Sequence, residues 1–239
     1  MNTQQKFEAI EKLTKGVVSN NYKNLLITGA PGLGKTYGVL NVLDGVRGVK
    51  YINGSISPVG LYCALYKNRE ANKTIVLDDA DDILFKQDAI NVLKCAMDTT
   101  QGREVTWEKY SNVLLIENVP KQFVFEAKVI IISNLNFSGL KNKQTKTNIH
   151  LNALADRCLH LDLSSLSVDQ KIERIEFLVS KHKLLKKVGS KKIQAEIMKW
   201  ISTNCKSLKE VNCRTALKVA DIYKQNKNDW QSLAKETLC

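Results

Sequence analysis

Short, densely apolar runs separated by stretches of helical period set the pattern of this chain. Asn24 to Thr28 (NLLIT), Thr74 to Leu77 (TIVL) and Val129 to Ser133 (VIIIS) are almost uninterrupted in apolar character, which predicts strands buried on both faces. Val49 to Ile52 reads as a further strand, and Cys158 to Leu163 as a final core strand. Between them lie helical stretches. Residues 3–18 can be capped by Thr3 and place Phe7, Ile10 and Leu13 or Thr14 on one face. Others run from Thr36 to Leu43, from Val59 to Asn68 after Pro58, from Ala89 to Thr99, and over the short segment Leu151 to Asp156. Strands alternating with helices predict an α/β, three-layer core with a parallel sheet. Two segments depart from that rhythm. Within residues 103–127, REVTWEKY and PKQFVFEAK alternate apolar and polar positions, as exposed strands or a hairpin do. Residues 136–148 are polar and lysine-rich and read as a mobile loop.

From Ser167 onward no strand-like run remains. Val168 to Lys183, Lys191 to Asn204 and Cys213 to Asn226 read as amphipathic helices. The predicted domains are therefore a core over residues 1–165 and a small all-helical domain over residues 166–239.

Composition narrows the class. A hydrophobic fraction of 44% and a charged fraction of 25% are ordinary for a globular chain, and 239 residues suffice for one core domain plus a smaller one. No apolar run approaches the roughly 20 residues needed to cross a bilayer, so no membrane partner is expected. The start, MNTQQKFEAIEKL, lacks the apolar stretch of a signal peptide, and the expected compartment is the cytoplasm. The six cysteines form no CxxC pair and no zinc spacing, and read as reduced thiols. The formal net charge is +12, and residues 166–239 hold 16 Lys/Arg against 8 Asp/Glu. Such a surface attracts polyanions, nucleic acid foremost, although charge also serves solubility alone.

The sharpest chemical signal is Gly29-Ala30-Pro31-Gly32-Leu33-Gly34-Lys35-Thr36, which fits GxxxxGK[ST] between a predicted strand and a predicted helix. Glycines let main-chain amides fold round phosphate, and the helix start adds partial positive charge. Lys35 can reach β- and γ-phosphates, and the Thr36 hydroxyl can ligate Mg²⁺. The strand TIVL ends in Asp78-Asp79. Asp78 would hold the metal, and Asp79 would orient or deprotonate an attacking water, with Asp81 and Asp82 as alternatives. ATP and Mg²⁺ are the expected cofactors.

With both motifs in place, residues 20–225 resemble the AAA+ ATPases. GAPGLGKT is similar to the family's Walker A, and IVLDDAD to its Walker B, with Asp79 where the family usually has glutamate. IIISN puts Asn134 where the family carries sensor 1. LADRC puts Arg157 at the arginine-finger position and looks like the Ser-Arg-Cys of clamp loaders, with Asp156 in place of serine. VNCRTALKVADIY puts Arg214 at the sensor 2 position. The resemblance implies that Asn134 holds the attacking water or the γ-phosphate and that Arg157 acts in trans on a neighbour's ATP. It implies that Arg214 couples a helical lid to nucleotide state, and that the chain forms a ring or spiral homo-oligomer. The segments GSISPVGLYCALYKNRE and GREVTW look like those of small phage-encoded members, which would place the chain in a host cytoplasm.

What such a motor acts on is left open by the residues. Val59, Gly60, Leu61 and Tyr62 are candidates for a central pore loop, or Leu61 and Tyr62 fill the core. The hairpin residues Arg103, Trp107, Lys109 and Lys121 suit stacking on bases and phosphate neutralisation, or Trp107 packs inside. Lys181, His182, Lys183, Lys186, Lys187, Lys191 and Lys192 form a basic run that either binds nucleic acid or is a solvated face. Val17 and Val18 are candidate adenine neighbours. Two function classes follow: an ATPase loading or remodelling a macromolecule in DNA replication or other DNA metabolism, and an ATP-driven remodeller of a protein partner. A slowly hydrolysing, nucleotide-gated adaptor is a third.

Overall fold

In order along the chain, the computed structural model has α1 (Thr3–Val18), β1 (Asn24–Thr28), α2 (Lys35–Leu43), β2 (Val49–Asn53), α3 (Pro58–Lys67), β3 (Thr74–Asp78), α4 (Gln87–Ala96), β4 (Glu104–Thr106), α5 (Asn112–Ile116), β5 (Gln122–Val124), β6 (Lys128–Ser133), α6 (Phe137–Leu140), α7 (Lys146–Ala155) and β7 (Leu159–Asp162). These are followed by α8 (Val168–Lys181), α9 (Lys191–Asn204), α10 (Cys213–Gln225) and α11 (Trp230–Leu238). The structure describes residues 3–100, 102–140 and 145–239.

Five strands form one parallel sheet in the order β2-β3-β6-β1-β7. Every residue of β1, β3 and β6 is buried, as their unbroken apolar runs require. Each fully buried Leu, Ile or Val there contributes about 1.5–3 kcal/mol. The register pairs Thr28 with Ser133 and Asp78 with Ile132, so the carboxyl ends of these three strands lie along one edge of the sheet. Local chemistry fixes the helix starts. Ser57 caps α3 by accepting from the Gly60 amide, with Pro58 in the first turn. Ser167 and Gln170 form a reciprocal capping box on α8, and Asn212 caps α10.

The chain divides into two compact units. One comprises residues 7–30 and 35–164; the other comprises residues 1–6, 31–34 and 165–239. The first is cored by side chains such as Leu26, Tyr62, Ile75, Leu93, Phe125 and Ile131. The second is cored by Ile175, Ile197, Trp200, Ala216, Val219 and Trp230. A parallel sheet with helices and an all-helical C-terminal part is the predicted fold class.

Four local expectations are corrected. The 103–127 hairpin is real, with β4 antiparallel to β5, but the short helix α5 is inserted at its tip. The polar segment 136–148 is not all loop: α6 starts within it at Phe137, buried at 1% exposure, and α7 at Lys146, capped by Thr145. Residues 141–144 of that segment lie outside the described residues. The final strand β7 is a sheet edge rather than core, because it pairs with β1 alone, and Leu159 is 40% exposed. A fourth long helix of the C-terminal part, α11, closes on Trp230 and Ala234, where the sequence reading stopped at residue 226.

Candidate functional site

The turn after β1 is built on backbone that only glycine adopts at ease. Gly29, Gly32 and Gly34 have φ of 150°, 74° and 86°. Close approach excludes side chains as well: a Cβ at Gly29 would lie 2.8 Å from Leu163 Cβ, and one at Gly32 would lie 2.8 Å from Asn212 Cγ. Around Gly32 the packing comes from α10, whose Cys213 amide donates to the Gly32 carbonyl at 2.9 Å. Near Gly34 the neighbour is the buried Arg174 of α8, whose Nη2 would be 3.5 Å from an added Cβ. Pro31 is half-buried and Leu33 buried.

Within the sheet unit, Lys35 opens α2 and is only 5% exposed. Its ammonium donates to the main-chain carbonyls of Gly29 (2.7 Å) and Ala30 (3.0 Å) and to Asn134 Oδ1 (2.9 Å). Asn134 follows β6 and also donates through Nδ2 to Asp79 Oδ1 at 2.8 Å. Beside them, the Thr36 hydroxyl donates to Asp78 Oδ1 at 3.1 Å, and the carboxylate of Asp78 is 2% exposed. Asp79 is exposed, in left-handed backbone with φ 49°. That conformation is several-fold more accessible to Asp and Asn than to longer side chains. It gives a physical reason for aspartate at this position. Asp81, the alternative base, is engaged otherwise: its Oδ2 accepts the Asn134 main-chain amide at 3.0 Å and so pins the end of β6. Asp82 is exposed in the turn that follows.

The structure thus brings Lys35, Thr36, Asp78, Asp79 and Asn134 together at the carboxyl edge of the sheet. The donor set fits the expected cofactors. A glycine turn that a Cβ would obstruct and a buried ammonium suit a polyphosphate, and a hydroxyl plus a carboxylate are the hard oxygens Mg²⁺ prefers. One participant was not legible in sequence. The Tyr51 hydroxyl of β2 donates to the second oxygen, Asp78 Oδ2. Burial first, and then the bond to Asp78 and the charges of Asp78 and Asp79, push the tyrosine pKa well above its ordinary value, so it remains a donor.

Two predicted residues lie elsewhere. Arg157 precedes β7 at the amino edge of the sheet, opposite the lysine. Leu159 pairs with Leu25 near the start of β1, three residues or roughly 10 Å of strand from its carboxyl end. Arg157 Nη1 donates to Ala153 O at 2.6 Å, and its side chain lines a cavity of about 790 Å³ with Lys23, Asn24, Asp98 and Arg103. Arg214 is exposed in the first turn of α10, next to the Asn212 and Cys213 that touch Gly32.

The substrate-contact candidates are also redistributed. Leu61 and Tyr62 are fully buried, and Trp107 is buried at 9% exposure against the Tyr62 ring. Arg103 is buried, donating to the carbonyls of Ala96 and Ala127, and Lys109 pairs with Asp88. These aromatic and basic groups hold the hairpin to the core rather than offering it to bases. Val17 is buried, and Val18 is half-buried. All six cysteines are free thiols. No helix among the described residues is long and apolar enough to cross a membrane.

No protein-family model matches the chain. It is 32% identical over 236 residues to an uncharacterized 36.7 kDa protein of the nrdC-mobD intergenic region of Enterobacteria phage T4, covering 96% of this chain and 72% of that protein. Among solved structures, it is similar to the RuvB Holliday junction branch migration motor of Thermotoga maritima, with a TM-score of 0.52, 15% identity, and coverage of 96% of this chain and 68% of RuvB. It is also similar to Hsp104 solved with ATPγS and FITC casein, with a TM-score of 0.58, 16% identity, and coverage of 95% of this chain and 40% of Hsp104. At these identities the solved structures establish the fold.

Proposed function

We infer function from one premise: the chain belongs to the family of the 36.7 kDa phage T4 protein, and its fold is that of the AAA+ ATPases. On it we propose a Mg²⁺-dependent ATP hydrolase that couples nucleotide turnover to loading or remodelling a macromolecule in DNA metabolism. It would be phage-encoded and would work in the host cytoplasm. One observation carries the reading: a buried lysine ammonium is held by two carbonyls of a glycine turn and by Asn134, beside the Thr36–Asp78 pair. A buried ammonium held by main-chain carbonyls at a glycine turn suits a site that receives a polyphosphate.

Bound Mg·ATP supplies the phosphoanhydride and the metal's charge neutralisation, and this chain's residues do the positioning. Main-chain amides of residues 29–36 other than Pro31, and the Lys35 ammonium, would bind the phosphates, while Thr36 and Asp78 would hold the metal. Asp79 takes the proton of the attacking water at its carboxylate, and Asn134 orients that water and the carboxylate. Arg214 is assigned the sensor 2 role that the AAA+ resemblance implies, coupling the helical part to nucleotide state. Arg157 is assigned to the nucleotide of a neighbouring copy, because it lies at the opposite edge of the sheet from Lys35. That assignment makes the working form a ring or spiral homo-oligomer.

DNA is preferred over protein as the target because the candidate pore-loop side chains Leu61 and Tyr62 are buried while the basic surface is exposed. The test is retention of a fluorescent ATP analogue with Mg²⁺ by the wild type and by Lys35→Ala. Wild-type retention together with at least about hundredfold loss in the variant is expected. Equal retention by both would remove the site.

A further inference from the structure

The helical unit carries a second feature that the nucleotide site does not use. The twelve residues 181–192 hold six lysines and a histidine. The fold does not spread them over a helix face. The turn from the end of α8, through left-handed Lys183 (φ 55°) and Gly189 (φ 85°), to the start of α9 brings three of them, Lys183, Lys186 and Lys191, to a groove of about 630 Å³. Lys183, Lys186 and Lys191 line its rim and are exposed, while Val179, Ala195 and Met198 supply apolar surface. Glu176 is the one carboxylate lining it. Among the described residues, none of these lysines forms an ion pair. Three lysines gathered with a single carboxylate leave an excess of positive charge at the groove, and a bound polyanion offsets it.

We propose that this groove is a binding site for single-stranded nucleic acid, with its rim lysines on successive phosphates and a sugar or base face on the Val179–Ala195–Met198 surface. The proposal rests on the nucleic-acid side of the reading above and names the surface that serves it. A duplex presents its charges on a convex cylinder with bases stacked inside, so it would meet only the rim. A single strand can also use the apolar surface. An acidic peptide would satisfy the charge as well. However, the groove is framed by helices and offers no strand edge for an extended chain to pair with.

The experiment is a fluorescence-anisotropy titration of labelled oligothymidylate across salt concentrations. It compares the wild type, the groove triple variant Lys183→Glu/Lys186→Glu/Lys191→Glu, and a charge-matched control, Lys218→Glu/Lys224→Glu/Lys227→Glu, in and beyond α10. The corresponding Lys→Gln groove triple replaces the Glu form if that form does not match the wild-type circular dichroism. The groove variant is expected to bind at least about tenfold more weakly, with a salt slope reduced by about 2, at roughly 0.7 per lost phosphate contact. The control should stay within about threefold. Equal losses in the two variants would overturn the groove while leaving nucleic-acid binding intact. Duplex binding as tight as single-strand binding, or competition by poly-glutamate as strong as by oligothymidylate, would overturn it in favour of that other ligand. Retention of the ATP analogue is measured on the same wild-type sample. Oligothymidylate binding lost only in the groove variant, without ATP retention, upholds the groove and removes the ATPase reading. ATP retention without any oligothymidylate binding does the reverse.

Discussion

The Asn134 side chain accepts a hydrogen bond from the Lys35 ammonium at 2.9 Å, which ties the end of β6 to the start of α2 after the glycine turn. Its other half donates to Asp79 at 2.8 Å. A carboxamide between a cation and an anion has its orientation fixed, oxygen toward the ammonium and nitrogen toward the carboxylate. Asn134→Ala therefore removes one partner from each of two charged groups at once. Lys35 retains Gly29 and Ala30, so nucleotide affinity should change by no more than about threefold, while kcat falls by about a hundredfold. Steady-state ATPase kinetics beside equilibrium nucleotide binding separate the two. A loss carried by affinity alone would reassign Asn134 to binding.

Asp79→Asn is an unusually clean substitution here. Asparagine tolerates the left-handed backbone (φ 49°) as aspartate does, so the fold is not expected to suffer. What is lost is the proton acceptor proposed for the attacking water. ATP binding should persist and hydrolysis should fall by at least about a thousandfold. Single-turnover measurements on enzyme loaded with ATP would check this. Near-normal turnover would move the base elsewhere. Asp81 would be a poor substitute, since its carboxylate already accepts the Asn134 amide.

Tyr51→Phe tests the hydroxyl that holds the second oxygen of Asp78. Deleting it leaves a nearly buried carboxylate short of one donor, a deficit of about 1–3 kcal/mol. The expected outcome is a thermal midpoint lowered by a few degrees and a weaker dependence of Asp78 geometry on β2. Mn²⁺ binding with ADP, followed by electron paramagnetic resonance, should change in affinity while the nucleotide alone binds as before. Unchanged stability and metal affinity would show the hydroxyl to be dispensable.

How much of this was legible in the sequence follows from which forces set each part. β1, β3 and β6 are buried on both faces, so their apolar runs could mean little else. The glycine turn that ends at Lys35 was legible as a turn because three glycines stand between an apolar strand and a helical stretch, and all three have positive φ. Tyr51 was not, since a tyrosine in a strand is ordinary and its partner Asp78 is 27 residues away. Trp107 and Arg103 look like a nucleic-acid surface in a list of residues. Their burial depends on Tyr62, Ala96 and Ala127, contacts that alternation in one segment cannot reveal. α5 escaped for a related reason. NVLLI has no helical period, and Leu115 and Ile116 are left 67% and 78% exposed.

Two thiols give the protein a pH limit. Burial pushes Cys158 up to about 12, against the opposing charge of Arg157, and pushes Cys213 up to about 11, against that of Arg174. An unfolded thiol titrates near 8.5. Between that pH and about 11 the unfolded chain has released protons that the folded chain keeps, so stability falls as pH rises through this window. Melting temperature should be lower at about pH 10.5 than at pH 8, and Cys158→Ser/Cys213→Ser should recover part of the difference. Tyr62, pushed up to about 12 by burial, accounts for some of the remainder. A flat melting profile over that range would contradict the burial of both sulfurs.

Arg157 carries the assembly claim. Within one copy it lies across the sheet from Lys35, with its guanidinium held by Ala153 O, so it cannot serve its own phosphates without crossing the fold. If it serves a neighbour's, the two defects lie on different copies and can be complemented. Arg157→Ala should bind ATP as the wild type does and lose about a thousandfold in turnover, within the range that an arginine supplied in trans provides. Lys35→Ala should bind none. In a mixture of the two, some sites pair an intact turn on one copy with an intact arginine on the next, and activity should reappear, greatest near equal amounts. Measuring ATPase rate across mixing ratios, with solution mass recorded in the presence of ATP, tests both halves of the argument. Activity absent at every ratio in a mixture that demonstrably co-assembles would confine Arg157 to holding the amino edge of the sheet.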